Sequence, residues 1–400
     1  MKTRLQQAVS ALGKGPLHEA AIERHIAPLF SRVLLPGRIY LANHSLGRPL
    51  DAMAEDVAEA TALWYEKLGD AWDDWLEERE AFRARIAALI HASRADCVAP
   101  RASAGQGLRT ILNALPGKPR VLTTRGEFDS VDVILKQYAS LGRIELHWVE
   151  PDEQDTFSVG SLIGALDQGA DLVVISQVMF MSGQIVDGLN RLAAACRQHG
   201  ARLLVDSYHA IGVIPVDVVQ IGCDFMIGGS YKYLRGGPGA AFLYIAPEVL
   251  ESGLRPLDTG WFANSDEFAY QRPDPPLLKP GGDAFLESTP PILTWYQARS
   301  GQQFTLAMGV DRLRAYSLHQ LAALREYLAD AGVNSIVGGD ANHGAFLAIR
   351  LAAAAQLPPL LQAEGIICDA RGEWLRLCPD CLTRDEELRR AAAALGKILR

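Results

Sequence analysis

Several features that would settle the class of this 400-residue chain at once are missing. No run approaches the roughly 20 consecutive apolar residues that span a bilayer. Met1 to Ala11 is polar and helix-forming, without the apolar core of a signal peptide. A cytoplasmic protein with no membrane partner is therefore expected. A basic stripe is also missing: 39 Lys and Arg are scattered among 47 Asp and Glu, for a net charge of −8. That balance argues against nucleic acid or an anionic membrane surface and for a small-molecule substrate. Cysteine is scarce, and of the six, Cys97, Cys196 and Cys223 lie in or beside apolar stretches, as reduced core residues do. Cys378 and Cys381 form a single C-x-x-C; with no second pair and no His cluster nearby, no metal site is expected. There is no internal repeat and no low-complexity segment.

What is present is a 49% hydrophobic chain, long enough for two or three domains. Between residues 95 and 250, short β-rich runs alternate with helical segments: Arg120–Thr123, Ile144–Val149, Asp171–Ser176, Arg202–Val205, Asp224–Ile227 and Ala240–Ile245. Continuous apolar runs joined by helices predict an α/β fold with a mainly parallel sheet covered on both faces. Leu50 to Leu89 reads as two amphipathic helices broken near Gly69, with Trp64, Trp72 and Trp75 among acidic residues. Residues 251 to 292 are rich in Pro and Gly and carry no period. Beyond them, helical patterns over Ile292 to Ala331, strands near Phe346–Ile349 and Trp374–Leu377, and a closing helix from Asp385 predict a smaller α+β domain.

The most informative residue is Lys232, in Gly229-Ser230-Tyr231-Lys232-Tyr233, directly behind the apolar run Asp224–Ile227. A lysine held in a glycine-bounded turn can form a Schiff base with an aldehyde. Upstream, the run Arg202–Val205 ends in Asp206, and His209 follows three residues later. Ligands of open α/β sheets sit at the carboxyl ends of the strands, which places Asp206 and Lys232 in one crevice. A lysine for the aldehyde and a carboxylate for a pyridine nitrogen together point to pyridoxal 5'-phosphate (PLP) as cofactor. His209 is placed either to fix Asp206 or to sit beside the ring. Ala102-Ser103-Ala104-Gly105 heads a helical run and offers small residues and free N–H groups to a phosphate. Phe128, after the strand ending at Thr123, is a candidate to stack on the ring.

In order along the chain, Asn43-His44-Ser45-Leu46-Gly47, Ser182-Gly183-Gln184, Asp206-Ser207-Tyr208-His209-Ala210-Ile211-Gly212, Ser230-Tyr231-Lys232-Tyr233-Leu234, Gly260-Trp261-Phe262 and Ser288-Thr289-Pro290-Pro291 resemble the motifs of the class V aminotransferase group, within it the kynureninases. The resemblance spans about residues 38 to 378. It implies the fold of PLP-dependent transferases of the aspartate aminotransferase type. Residues 1–50 would join a small domain formed by 286–400, and 51–285 would form the large cofactor-binding domain. It further implies that Lys232 carries the cofactor, Asp206 faces the ring nitrogen, Phe128 stacks on the ring, and Ser103, Ala104 and Tyr231 meet the phosphate. Trp261 and Ser288 would reach in from the partner of a homodimer. Arg376 would grip the α-carboxylate of an amino-acid substrate, its fork matching a carboxylate, with Ser45 and Thr289 also at the substrate.

The chain departs from the kynureninase pattern at two positions: Thr289 stands where an asparagine contacts the aryl ketone, and Leu286 where an arginine precedes the motif. The expected reaction is hydrolysis of the Cβ–Cγ bond of L-kynurenine or 3-hydroxykynurenine, with Lys232, Asp206 and Tyr231 as catalytic residues. The two departures keep open transamination, β-elimination or desulfuration of another amino acid. Lys232 and Asp206, both intact, argue against a non-catalytic binding protein.

Overall fold

The β-branched runs form strands because they are buried on both faces, and the amphipathic segments between them supply the cover. The computed structural model describes residues 3–400. Its strands in chain order are β1 (Ile39–Tyr40), β2 (Val98–Arg101), β3 (Arg120–Thr124), β4 (Glu145–Val149), β5 (Leu172–Ser176), β6 (Arg202–Asp206), β7 (Phe225–Gly229), β8 (Ala241–Ile245), β9 (Ile336–Val337), β10 (Leu347–Arg350), β11 (Ile366–Ile367), β12 (Asp369–Arg371) and β13 (Trp374–Leu377). The main sheet runs β2-β8-β7-β6-β5-β3-β4. Pairing from β7 through β6, β5 and β3 to β4 is parallel, and β8 is antiparallel to both β7 and β2. The sheet is thus mainly parallel, as expected, with one reversed strand.

All of β5, β7 and β8 is buried, whereas the edge strand β4 is partly exposed along most of its length. Strand β2 was not predicted from the sequence. Pro100 lies in it, and the sheet tolerates a proline there because β2 is the opposite edge.

The smaller sheet is antiparallel, in the order β12-β13-β10-β9, and packs on the helices Val310–Asp330 and Asp385–Ile398 through Leu321, Leu324, Leu388 and Leu395. The N-terminal segment joins it: β1 pairs in parallel with β11, and Ala42 bridges to Cys378. The expected break near Gly69 appears as a single 3-10 turn, Leu68–Asp70, between the helices Ala52–Lys67 and Ala71–Leu89. The Pro- and Gly-rich stretch holds two short 3-10 helices, Trp261–Ala263 and Gly281–Phe285. Among the described residues no helix is long and apolar enough to cross a membrane.

Candidate active site

Strands β2, β3, β5, β6 and β7 deliver their carboxyl ends to one side of the sheet, and a cavity of about 620 Å³ opens there. Ser103, Ala104, Phe128, Asp206, His209, Tyr231 and Lys232 all line it, so seven of the residues singled out from the sequence meet in one place.

Asp206 is the last residue of β6 and is 5% exposed. Its Oδ1 accepts the Tyr208 N–H at 2.8 Å. Burial pushes its pKa up to about 6, against the pull of that hydrogen bond and of the Lys232 charge. Lys232 follows β7 in a loop tied at both ends. The Gly236 N–H donates to the Ser230 carbonyl at 2.7 Å, Gln302 Nε2 donates to Ser230 Oγ at 3.1 Å, and the Gly47 N–H donates to the Tyr231 carbonyl at 2.8 Å.

The Lys232 amine stands over the rings of Tyr208, Phe128 and Tyr231 at 5.1, 5.2 and 5.6 Å. Burial lowers its pKa to about 7, because no carboxylate pairs closely enough to offset the lost hydration. Its hydrogen-bond partner is His209, with Nζ to Nε2 at 2.6 Å. The histidine therefore sits on the lysine rather than fixing Asp206. Burial and the lysine charge hold the His209 pKa well below its usual value, so the ring is neutral, and its buried Nδ1 has no partner.

The cavity fits PLP. Ser103 caps the helix Ala104–Ala114 by accepting the Gln106 N–H at 3.1 Å, which leaves the first backbone N–H groups of that helix facing the cavity for a phosphate. Among the described residues no donor reaches Asp206 Oδ2, so it is available to a ring nitrogen.

The residues expected at the substrate lie just beyond. Arg376 is 1% exposed, so it is no surface strand residue, and it stacks beneath Phe180, Cζ to ring centroid 4.6 Å. Phe180 lines the cavity and packs on Phe128 and His209 at 5.0 and 5.9 Å. One aromatic layer thus separates Arg376 from the space over Lys232. Ser45 and His44 meet Arg376 through Asp369, which accepts from both side chains as well as from the guanidinium. Burial opposes ionisation of Asp369, but these donors and the Arg376 charge hold its carboxyl far below the usual carboxylate range. Burial lowers His44 to about 4.

Trp261, Ser288 and Thr289 do not line the cavity of their own chain. Trp261 Nε1 donates to Thr289 Oγ1 at 3.3 Å, and Ser288 and Thr289 border a separate cavity of about 130 Å³ with Arg79 and Arg101. Leu286 is buried in an apolar cluster with Phe262 and Ala263. All six cysteines are free thiols, and among the described residues no group of His, Cys, Asp and Glu could hold a metal ion. Cys378 and Cys381 are buried and their thiols pushed up to about 12 and about 11.

Sequence reading gave no role to Phe180, Tyr208, Glu127 or Asp369. Tyr208 and Glu127 are adjacent to residues it did single out. Asp369 carries no local signal, because its importance comes from its pairing across the β12–β13 ladder with Arg376.

The model of the family described as aminotransferase class-V matches residues 48–373. The chain belongs to the class-V aminotransferase family. Its cofactor is PLP, and its fold is that of the PLP-dependent enzymes. It is 27% identical over 347 residues to an uncharacterized aminotransferase, YcbU, of Bacillus subtilis, a match covering 85% of this chain and 90% of that one. It is 30% identical over 309 residues to the kynureninase of Pseudomonas fluorescens, covering 73% and 71%. Among solved structures, a cysteine desulfurase from Thermococcus onnurineus matches with a TM-score of 0.78 at 17% identity, covering 90% and 94% of the two chains. The cystine C-S lyase C-DES matches at 0.82 and 18%, covering 92% and 99%. At those identities the structures share the fold.

Proposed function

We propose that this enzyme hydrolyses the Cβ–Cγ bond of L-kynurenine or 3-hydroxykynurenine, consuming water and releasing L-alanine and an anthranilate-type acid. The observation that carries an amino-acid substrate is the placement of Arg376 one aromatic ring, Phe180, away from the cavity of Lys232. An amine at the lysine and a carboxylate at the guanidinium would be held in one orientation. The 30% identity with a kynureninase supports the choice of reaction.

In this reading Lys232 holds PLP, Asp206 meets the ring nitrogen, Phe128 faces the ring, and Ser103, Ala104 and Tyr231 hold the phosphate. Bound PLP supplies an electron sink for charge left on the substrate's α-carbon. With its pKa lowered to about 7, the Lys232 amine takes the α-proton at Nζ near neutral pH, and neutral His209 accepts from it to orient that atom. Burial and the Asp206 charge raise the Tyr231 pKa, which keeps its phenol protonated as an acid at the substrate carbonyl. Phe180 and Phe346 exclude water from Arg376. Trp261, Ser288 and Thr289 act from the second subunit of a homodimer, consistent with their place outside their own chain's cavity. Residues 51–285 form the cofactor-binding domain, and 1–50 join 286–400.

Desulfuration is disfavoured because it needs a reactive thiolate, and burial raises the thiols of Cys97, Cys368, Cys378 and Cys381 to about 11, 12, 12 and 11. Transamination or β-elimination of another amino acid is the second reading, favoured by the apolar surroundings of Leu286 where the kynureninase pattern has a cation. Anthranilate fluorescence after mixing PLP-loaded protein with L-kynurenine tests the first. Growth that disappears in Lys232→Ala supports it, and a silent mixture whose PLP absorbance changes only on adding a different amino acid selects the second.

A further inference from the structure

The cavity of Lys232 also holds a cation for which the reaction above has no use. Among the described residues lining it, the basic side chains are Lys232, Arg109 and the neutral His209, against the carboxyl groups of Asp129 and Asp206. Arg109 lies in the helix Ala104–Ala114, four residues or about 6 Å past Gly105. Long side chains of a helix lean toward its N-terminus, and Arg109 follows that rule. Its Nη1 stands 3.6 Å, and Ser103 Oγ 3.9 Å, from the point that a Cβ on Gly105 would occupy. The guanidinium and the cap hydroxyl thus border one gap at the head of the helix, left open because residue 105 is glycine. Ile134 Cδ1, 3.0 Å from the same point, closes the gap from the helix Asp129–Ser140.

That first turn is where the phosphate of PLP is expected, and the groups assigned to it, Ser103, Ala104 and Tyr231, are all neutral. A phosphate monoester carries a charge of about −1.5 to −2 at neutral pH. The helix N-terminus offsets only the equivalent of about half a charge. Lys232 is taken up by the aldehyde, and Asp129 adds a further negative charge to the same space. Arg109 is therefore the full cation left to face the phosphate. Its guanidinium is free to do so: among the described residues it makes no hydrogen bond and no ion pair, with Asp129 or any other group. Arg376 and Arg235, by contrast, are already tied to Asp369 and Asp380.

We propose that Arg109 is a further cofactor-binding residue, whose guanidinium pairs with the phosphate of bound PLP over the N-terminus of its own helix. The proposal rests on the reading that Ser103 and Ala104 form the phosphate cradle. A planar fork of N–H donors matches phosphate oxygens two at a time, and an arginine keeps its charge at any working pH. The side chain is exposed, so pairing exchanges water for a charge-assisted contact without breaking one inside the protein. The chain would then select the phosphorylated cofactor over pyridoxal by charge as well as by the helix N–H groups.

The test is absorbance titration of the cofactor-free protein with PLP and, separately, with pyridoxal, which has the ring and aldehyde but no phosphate. Wild type is compared with Arg109→Gln, which removes the charge, and with Arg109→Lys, which keeps it. Loss of a hydrogen-bonded charge pair predicts a Kd for PLP raised about 10-fold or more in Arg109→Gln, an unchanged Kd for pyridoxal, and partial recovery for PLP in Arg109→Lys. A merely structural role would weaken both ligands alike, and that result overturns the proposal. A preference for PLP that is equal in wild type and Arg109→Gln overturns it too, while leaving the cradle of Ser103 and Ala104 standing. Equal affinity of the wild type for PLP and pyridoxal overturns the proposal together with the cradle. Should Arg109→Gln not fold, the phosphorus resonance of PLP bound to wild type decides: a phosphate that stays dianionic well below its usual pKa of about 6 supports the pairing, and one that titrates there overturns it.

Discussion

Asp369 grips the Arg376 guanidinium along one edge, receiving Nε at 2.9 Å and Nη2 at 2.8 Å, while the Phe180 carbonyl accepts Nη1 at 2.8 Å. Three of the five guanidinium N–H groups are thereby used to fix the plane of the fork, which leaves two for the substrate carboxylate of the proposed reaction. Lysine has no second donor arm to keep that plane. Arg376→Lys is expected to raise KM for the amino acid by about 10- to 100-fold, the loss of charged hydrogen bonds of about 1.5–3 kcal/mol, with a much smaller change in kcat. Initial rates over a range of substrate concentrations check this; an equal fall in kcat at unchanged KM would place Arg376 elsewhere.

A second buried network supports the lysine loop. Asp380 accepts from Arg48 and, at 2.7 Å, from Arg235, three residues past Lys232, and all three side chains are buried. Burial works against the charge on Asp380, but the two guanidinium groups win and hold it at about 2. Removing the carboxylate strands two buried cations. Asp380→Ala is expected to lower unfolding free energy by about 3–5 kcal/mol, read from the shift in denaturant midpoint at constant slope.

How much of this was legible in the sequence follows from where each signal lives. The runs that became β3, β5, β6, β7 and β8 were readable because burial on both faces makes them continuously apolar, and their ends gave Asp206 and Lys232. Strand β2 carries no strand pattern, since Pro100 and Arg101 make up half of its four residues, and only its place at the sheet edge makes the proline harmless. The cluster of Asp369, His44, Ser45 and Arg376 was half legible. Arg376 sits in the regular strand Trp374–Leu377, but Asp369 belongs to a three-residue strand with no pattern, brought to it by register alone.

The loop that carries Lys232 is packed too tightly against Gly47 to admit a side chain. A Cβ at that position would fall inside contact distance of the Lys232 carbonyl oxygen. Gly47→Ala is expected to displace the lysine loop at a cost of about 1–3 kcal/mol and to weaken PLP binding, measured by absorbance titration with the cofactor. Wild-type affinity in that variant would show that the loop yields without consequence.

The pH dependence of cofactor attachment follows from Lys232. Its pKa in the folded chain is lowered from 10.5 to about 7, so the neutral amine, the form that attacks an aldehyde, is available near neutrality. The rate of PLP attachment should rise through about pH 7 and level off well below 10.5. The unfolded chain binds this proton more tightly than the folded one, so the lysine's contribution to apo-protein stability grows with pH between about 7 and 10.5. Stopped-flow absorbance over that range checks the rate, and a rise that continues to pH 10 would mean that the lysine is not desolvated.

The most direct measurement is a product balance: PLP-loaded protein incubated with L-kynurenine, with anthranilate and alanine quantified by chromatography beside Lys232→Ala. Equal molar amounts of the two products, absent from the variant, are expected of a hydrolase that uses Lys232. Kynurenine left intact, or consumed without release of alanine, would contradict it.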